Sequence, residues 1–348
     1  MAHIAVLGAG AWGTALARHL VRQQPNASGQ ANPVPPSPHT VRLWSWQAEH
    51  VEELLRDSEN RRFFPGFDLP SAIEPTASLE HCVHGARAVL VVVPTQAVRS
   101  VLEKARASLS PDSLLILASK GIENGTSMLL SEVVVDVLGA AFQKRTVALS
   151  GPSFAQEVAR GLPTNLVAAA LEARAAEAAQ SLIASERLRV YTSDDPVSVE
   201  VGGALKNVIA VAAGASDGLG FGHNTRAALI TRGLAEMARL AVAKGGNPLS
   251  LAGLSGLGDL VLTTTASLSR NRTVGFELGR GRELEDVLRT LGHVAEGVTT
   301  ARSAYDLAVR LKVDLPITTQ VYRVLYEHKP VAEAVEELLQ RPAGREWS

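Results

Sequence analysis

Three clusters in the second half of the chain carry side chains suited to chemistry. The first is Gly202-Gly203-Ala204-Leu205-Lys206-Asn207, followed by Val208-Ile209-Ala210-Val211. An ammonium among such neighbours is costly to bury without a partner. A lysine so placed suits proton transfer, the alternative being a side chain that snorkels to the surface. The second is Gly253-Leu254-Ser255-Gly256-Leu257-Gly258-Asp259-Leu260, with Thr263 one helical turn beyond Asp259. Its glycines allow close backbone approach, and the helical period puts Asp259 beside Thr263. The third, Ser269-Arg270-Asn271-Arg272, places guanidinium, amide and hydroxyl groups where forked hydrogen bonds could hold a phosphate. Alone it would also suit a solvated basic turn.

A fourth cluster stands at the other end of the chain. Gly8-Ala9-Gly10-Ala11-Trp12-Gly13 follows the apolar run Ile4–Leu7 and precedes Thr14–Leu20, which reads as a helix. Strand, G-x-G-x-x-G, helix is the context in which this motif signals dinucleotide binding. Gly8 permits the tight turn, Gly10 lets the backbone approach a pyrophosphate, and Gly13 lets helix and strand pack closely. The start of the helix offers unpaired N–H groups to the phosphates.

These residues need elements to position them. Apolar runs at residues 40–44, 86–93, 114–118, 147–150, 165–169 and 188–192 read as strands. Intervening helical stretches include 51–56 and 171–184, and residues 61–66 read as a loop. This alternation predicts an open, mostly parallel sheet wrapped by helices. Ligands in such sheets gather at the carboxyl ends of strands, which marks Pro94, Thr95, Gln96 and Lys120 as candidates. Ser153 reads as a helix N-cap with Gln156 at the matching position. The second strand ends at Ser45-Trp46, where an acid for a ribose hydroxyl or a base for a 2′-phosphate would be expected. From Pro196 the strands stop, and residues 197–211, 225–244, 298–311, 317–326 and 331–339 read as helices. The expected fold is therefore α/β: a doubly wound Rossmann sheet over residues 1–193, followed by an all-α domain over residues 194–348. Pro25–His39, rich in Pro, Ser, Asn and Gly, reads as a surface insertion.

Composition narrows the function classes. A chain of 348 residues with 46% hydrophobic side chains can bury two cores. Its net charge of −1 gives no footprint for nucleic acid. The single cysteine, Cys82, excludes an internal disulfide framework and suits a reducing compartment. The glycine motif begins too early to leave room for a signal peptide, and no apolar run looks long enough to span a bilayer. The expectation is a cytoplasmic protein without membrane insertion and without a metal.

Taken in order, Gly8–Ala17, Ser119-Lys120-Gly121, Ser150–Ala155, Leu205-Lys206-Asn207, Gly256–Leu260 and Ser269-Arg270-Asn271 resemble the NAD(P)-dependent sn-glycerol-3-phosphate dehydrogenases of the bacterial type. The resemblance covers essentially the whole chain. It implies an oxidoreductase that interconverts dihydroxyacetone phosphate and sn-glycerol 3-phosphate with NADH or NADPH, supplies phospholipid synthesis, and works as a homodimer. By position it makes Lys206 the proton donor and acceptor, with Lys120 and Asp259 as its catalytic companions. It assigns Lys120, Gly151, Ser153, Lys206, Asp259, Thr263, Ser269, Arg270 and Asn271 to the substrate, with Arg270 and Asn271 gripping the phosphate. Gly8, Gly10, Ala11, Trp12, Gly13, Trp46, Pro94, Lys120, Ala155, Arg270, Val294 and Glu296 fall to the cofactor. The chain departs from the family pattern at Ala11, where a serine is usual, and at Ser45-Trp46, where arginine or histidine is common. NADH and NADPH both stay open. Two other functions fit the same architecture: a hydroxyacid or ketopantoate-type reductase, and a non-catalytic dinucleotide-binding redox sensor. The phosphate cluster argues against the first, and Lys120, Lys206 and Asp259 argue against the second.

Overall fold

A computed structural model describes residues 3–21, 39–292 and 294–342. The insertion expected at Pro25–His39 lies, up to Pro38, outside the described residues. The chain forms two compact units, Met1–Lys120 with Met128–Val199, and Gly121–Ser127 with Glu200–Ser348. The second unit thus begins six residues later than the expected boundary after Ser193 and takes in a short early segment. Inside it, the Ser303 hydroxyl donates to the Ile122 carbonyl at 2.9 Å and Arg310 Nη1 donates to the Thr126 carbonyl at 2.7 Å.

The first unit is built on eight strands: β1 (His3–Leu7), β2 (Val41–Trp44), β3 (Ile73–Thr76), β4 (Ala86–Val91), β5 (Leu114–Leu117), β6 (Thr146–Ser150), β7 (Thr164–Ala169) and β8 (Leu188–Ser193). Their order is β3-β2-β1-β4-β5-β6-β7-β8. Every described pair is parallel except β6 with β7. The order reverses between β1 and β4, the switch point of a doubly wound sheet. Both faces of the sheet are covered, which is why its central strands are apolar without alternation. Ile4, Val6, Ala88 and Leu90 enter the core on one face; Ala5, Leu7, Val89 and Val91 enter the core on the other.

Sequence alone missed β3, Ile-Glu-Pro-Thr, because a charged residue and a proline interrupt it. Its proline is tolerated because β3 is an edge strand. Residues 92 and 93 were expected inside the fourth strand but lie beyond it. The Val92 N–H still donates to the Leu7 carbonyl of β1, but the Ser119 hydroxyl donates to the Val93 carbonyl as the chain turns toward Pro94.

The second unit is helical in every described element after the early segment. The helices Pro196–Gly218, His223–Ala243, Glu296–Leu311, Pro316–Tyr326 and Val331–Leu339 correspond to the five expected stretches. Asp259–Thr265 supplies the helical turn expected between Asp259 and Thr263, and Arg270–Gly279 and Leu284–Leu291 add two helices that were not expected. Pro196–Gly218 also corrects the expectation that no stretch is long enough for a bilayer. Its 23 residues, with hydropathy 1.3 over the most apolar window, meet the length and composition, and most of that window is buried. A helix apolar all round is what the centre of a helical unit requires.

Close helix contact at that centre depends on glycine. A Cβ on Gly275 would sit 1.9 Å from the Val211 carbonyl oxygen, and one on Gly214 would sit 2.0 Å from that of Arg272. The helices Pro196–Gly218 and Arg270–Gly279 therefore touch backbone to backbone. Asp217 locks the contact by taking Arg272 Nη2 and Arg226 Nη2, each at 2.7 Å.

Glu236 is fully buried and caps the start of the helix Pro316–Tyr326, accepting from the Ile317 and Thr318 N–H groups and the Thr318 hydroxyl. Burial pushes its carboxyl up to about 7, against the pull of those donors and of Arg239. The folded state therefore holds a proton that the unfolded chain releases, in the window between the ordinary glutamate range and pH 7. Stability linked to this group rises as pH falls through that window and is lost as pH climbs to 7 and above. Thermal unfolding of wild type and Glu236→Gln from pH 8 to pH 5 checks this. Wild type should gain on the variant as pH falls, and a constant gap would refute the assignment.

Candidate active site

In the first unit, the glycine turn closes over the end of β1. Gly8 has φ +122°, and a Cβ there would come within 2.9 Å of the Val92 and Val93 backbone. A Cβ on Gly13 would lie 1.9 Å from the Gly8 carbonyl oxygen. Both glycines are thus dictated by the protein's own packing. Gly10 is different: a Cβ there meets nothing within 4 Å. Its bare backbone leaves open space at the start of the helix Ala11–Val21, where N–H groups are unpaired and favour an anion. The turn therefore fits the pyrophosphate of a dinucleotide.

Ala11, Trp12 and Ala155 meet in one apolar cluster with Ala15, Phe64 and Ala159. This brings the start of the helix Ala155–Ala159 to the glycine turn, which the sequence order does not suggest. The cap there differs from expectation. Phe154, not Ser153, is the residue before the helix, and the Ser153 hydroxyl donates instead to the Gly151 carbonyl at 3.1 Å. Lys120 Nζ donates to the same carbonyl at 3.1 Å. Gly151, at φ +131° with the Asn165 carbonyl oxygen 3.0 Å from any Cβ, is the pivot that gathers Lys120 and Ser153.

Past β2, the Ser45 side chain is buried and bonds to His50 Nδ1 at 3.1 Å, whereas Trp46 is 76% exposed. Neither an acid nor a base stands at that strand end. Arg42, within β2, donates to Glu74 and to the His81 carbonyl. Pro94 begins the short turn of helix Thr95–Ala97 after β4.

In the second unit, Lys206 and Asp259 form a buried ion pair, Nζ to Oδ1 at 2.5 Å. Lys206 also donates to Thr263 Oγ1 at 3.0 Å, while that hydroxyl donates to the Asp259 carbonyl at 2.6 Å. The residues come from two separate stretches that the resemblance brings together, and local backbone explains how they meet. A Cβ on Gly202 would lie 2.6 Å from the Ser255 carbonyl oxygen, so the lysine's helix and the segment Leu254–Gly258 come into backbone contact. That segment is one turn of π-helix, and it delivers Asp259 as the first residue of the helix Asp259–Thr265. Such turns recur at functional sites.

Ser269 caps the helix Arg270–Gly279, its Oγ accepting from the Arg272 N–H. Arg270 is open to solvent, but surrounding protein pulls its guanidinium below the ordinary arginine range, with Glu296 opposing that shift. It remains a cation near neutrality. Asn271 is buried: Nδ2 donates to Asn207 Oδ1 at 2.9 Å, and Oδ1 accepts from the Gly297 N–H at 2.9 Å. It ties the lysine's helix to the start of Glu296–Leu311, where Glu296 is the first helical residue and Val294 stands exposed just before it. Sequence pattern overlooked this role of Asn271. The adjacent Asn207, beside Lys206, was the available signal.

A glycine turn at the switch point of a doubly wound sheet, with a helical unit that buries a lysine–carboxylate pair, defines a two-domain nicotinamide dinucleotide-dependent dehydrogenase. Family models for the N-terminus and the C-terminus of NAD-dependent glycerol-3-phosphate dehydrogenase match residues 3–176 and 195–336. Glycerol-3-phosphate dehydrogenases [NAD(P)+] of Trichlorobacter lovleyi and Geobacter sulfurreducens are 49% and 50% identical, each over 97% of this chain and 97% of its own. The crystal structure of glycerol-3-phosphate dehydrogenase from Coxiella burnetii superposes with a TM-score of 0.88 at 38% identity, covering 98% of this chain and 99% of that one. The chain belongs to the NAD-dependent glycerol-3-phosphate dehydrogenase family.

Proposed function

We propose that the chain reduces dihydroxyacetone phosphate to sn-glycerol 3-phosphate, and catalyses the reverse reaction, with NADH or NADPH. The observation that carries the chemistry is the buried Lys206–Asp259–Thr263 cluster. When bound, the nicotinamide dinucleotide supplies a hydride to the substrate's ketone carbon or takes one from the alcohol carbon. The turn shaped by Gly8 and Gly13 would hold its pyrophosphate at Gly10, with Ala11, Trp12 and Ala155 beside it, and Trp46, Pro94, Val294 and Glu296 would add further contacts.

Lys206 donates a hydrogen bond to the carbonyl oxygen and then a proton to the developing alkoxide, a general-acid role. Asp259 balances the ammonium and fixes its direction; Thr263 presents an oxygen lone pair to it because its own hydrogen is spent on the Asp259 carbonyl. In the reverse direction a neutral Lys206 accepts the hydroxyl proton. Arg270 supplies the cation for the phosphate, from a helix start that Ser269 caps. Asn271 keeps Arg270's helix in register with that of Lys206. Lys120, with Gly151 and Ser153, adds a second cation for the substrate. The product supplies phospholipid synthesis. The single cysteine supports a reducing, cytoplasmic setting, the family resemblance supports a homodimer, and the burial of Pro196–Gly218 supports its reading as a core helix and not a membrane span.

The test is to follow nicotinamide absorbance with dihydroxyacetone phosphate and each cofactor in parallel. Because Ser45 and Trp46 supply neither a carboxylate to repel a 2′-phosphate nor a base to prefer one, both NADH and NADPH should be oxidised. No oxidation of either, with both shown to bind, would overturn the substrate assignment and move attention to non-phosphorylated keto acids.

A further inference from the structure

A buried chain of polar side chains runs from the end of β2 to the glycine turn. The Gln47 N–H reaches Ser45 Oγ at 3.4 Å, and Ser45 Oγ lies 3.1 Å from His50 Nδ1. His50 Nε2 lies 3.1 Å from Asn60 Oδ1, which also accepts from the Phe63 N–H at 3.1 Å. Asn60 Nδ2 donates to the Ala9 carbonyl and to Thr14 Oγ1, both at 2.8 Å. Ser45, His50, Asn60 and Thr14 are all buried. The directions follow from the amide. Its nitrogen donates twice, so its oxygen must accept, and His50 Nε2 must carry a hydrogen. The Ser45 hydroxyl then donates to Nδ1. Every hydrogen-bonding position of the Asn60 amide is used within the protein.

One of these bonds has a consequence across the peptide plane. The Ala9–Gly10 peptide is trans, since no cis bond occurs among the described residues. In a planar trans peptide the C=O and the following N–H point in opposite directions. The Ala9 carbonyl is drawn inward, to a residue only 1% exposed. The Gly10 N–H therefore points the other way, out of the fold, on the residue whose missing side chain leaves open space.

We propose that Asn60 is a positioning residue for the dinucleotide: by holding the Ala9 carbonyl inward it turns the Gly10 N–H outward as a preset donor to the pyrophosphate. The inference rests on reading Gly8–Gly13 as the cofactor's turn. Preorganised donors bind an anion better than donors that must first be ordered. Asn60 thus acts through Gly10 and touches neither substrate nor cofactor. Ser45 serves the same chain, which is why it stands where a ribose-binding side chain would be expected.

The experiment titrates NADH and ADP-ribose into wild type, Asn60→Asp and Thr14→Val, well below each protein's unfolding temperature. Asn60→Asp keeps the size and the acceptor for His50 and Phe63 but faces the Ala9 carbonyl with a lone pair. It should weaken both ligands by about tenfold or more, the worth of one charge-assisted hydrogen bond. Its kcat at saturating cofactor should stay within about threefold of wild type, since the proton-transfer cluster is untouched. Thr14→Val removes the other acceptor and leaves Ala9 held, so its affinities should stay within about threefold, even if its stability falls. Wild-type affinity in a folded Asn60→Asp would overturn the proposal. So would a tenfold loss in Thr14→Val, which also decides the matter if Asn60→Asp does not fold. Failure of the wild type to bind either ligand would overturn the cofactor reading of the turn itself, a separable result.

Discussion

Replacing Lys206 with methionine is expected to lower kcat for dihydroxyacetone phosphate by about a thousandfold, the scale of a lost general acid. NADH affinity should change by no more than about threefold, because the glycine turn lies in the other compact unit. The variant should also lose stability. Asp259 is 1% exposed, and the substitution removes the ammonium paired with this buried carboxylate. Breaking such a pair typically costs about 3–5 kcal/mol. Low activity in the single variant could then be blamed on unfolding, and a second substitution separates the two effects. Lys206→Met with Asp259→Asn removes that carboxylate's charge, so its unfolding temperature should recover much of the loss. Its kcat should not recover at all. Circular dichroism melts and steady-state rates on the two variants make the comparison. If activity returned along with stability, Lys206 would be a structural residue and the proton would come from elsewhere.

How much of this was legible in the sequence follows from where the causes lie. The glycine turn could be read because its determinants are local: an apolar strand, three glycines at fixed spacing, and a helix, all within nineteen residues. The buried lysine was legible for a similar reason, since a charge inside an apolar helix demands a partner. Asp259 and Thr263 could be nominated, but the way they reach Lys206 could not. It depends on Gly202 admitting the Ser255 carbonyl and on a π-turn, neither of which has a sequence signature. Asn60 was passed over altogether. It sits in a stretch that reads as the approach to a loop, and its partners Ala9, Thr14 and His50 are fixed by tertiary structure. Ser153 failed in the opposite way. Its local pattern promised a cap, but its hydroxyl donates to the Gly151 carbonyl and the helix begins one residue later, with Phe154 at the cap position. A carbonyl two residues back is enough to draw a serine hydroxyl away from the cap its pattern promises.

Arg270→Met should lower kcat/KM for dihydroxyacetone phosphate by about a hundredfold, the worth of a charged, forked contact to a phosphate. The loss should appear mainly in KM, because the phosphate keeps its charge throughout the reaction and binds ground state and transition state alike. The decisive comparison is with dihydroxyacetone, which has the same ketone and no phosphate. Wild type should strongly favour the phosphorylated ketone, and the variant should lose most of that preference while its rate with dihydroxyacetone hardly changes. Arg270→Lys should fall in between, because an ammonium keeps the charge and loses the fork. Asn271→Leu is a different kind of change. It breaks the bonds to Asn207 and Gly297 that hold the neighbouring helices together, so it should depress turnover of both ketones alike. If Arg270→Met instead reduced both substrates equally, Arg270 would be acting with Glu296 as a structural pair, and the phosphate would have to be assigned to Lys120. The pull of Glu296 on the Arg270 guanidinium makes that alternative concrete. Burial lowers the guanidinium's pKa more than Glu296 raises it, so Glu296 does not offset the cost of holding the cation there. An arginine kept there gains more from a dianionic ligand than from its own fold.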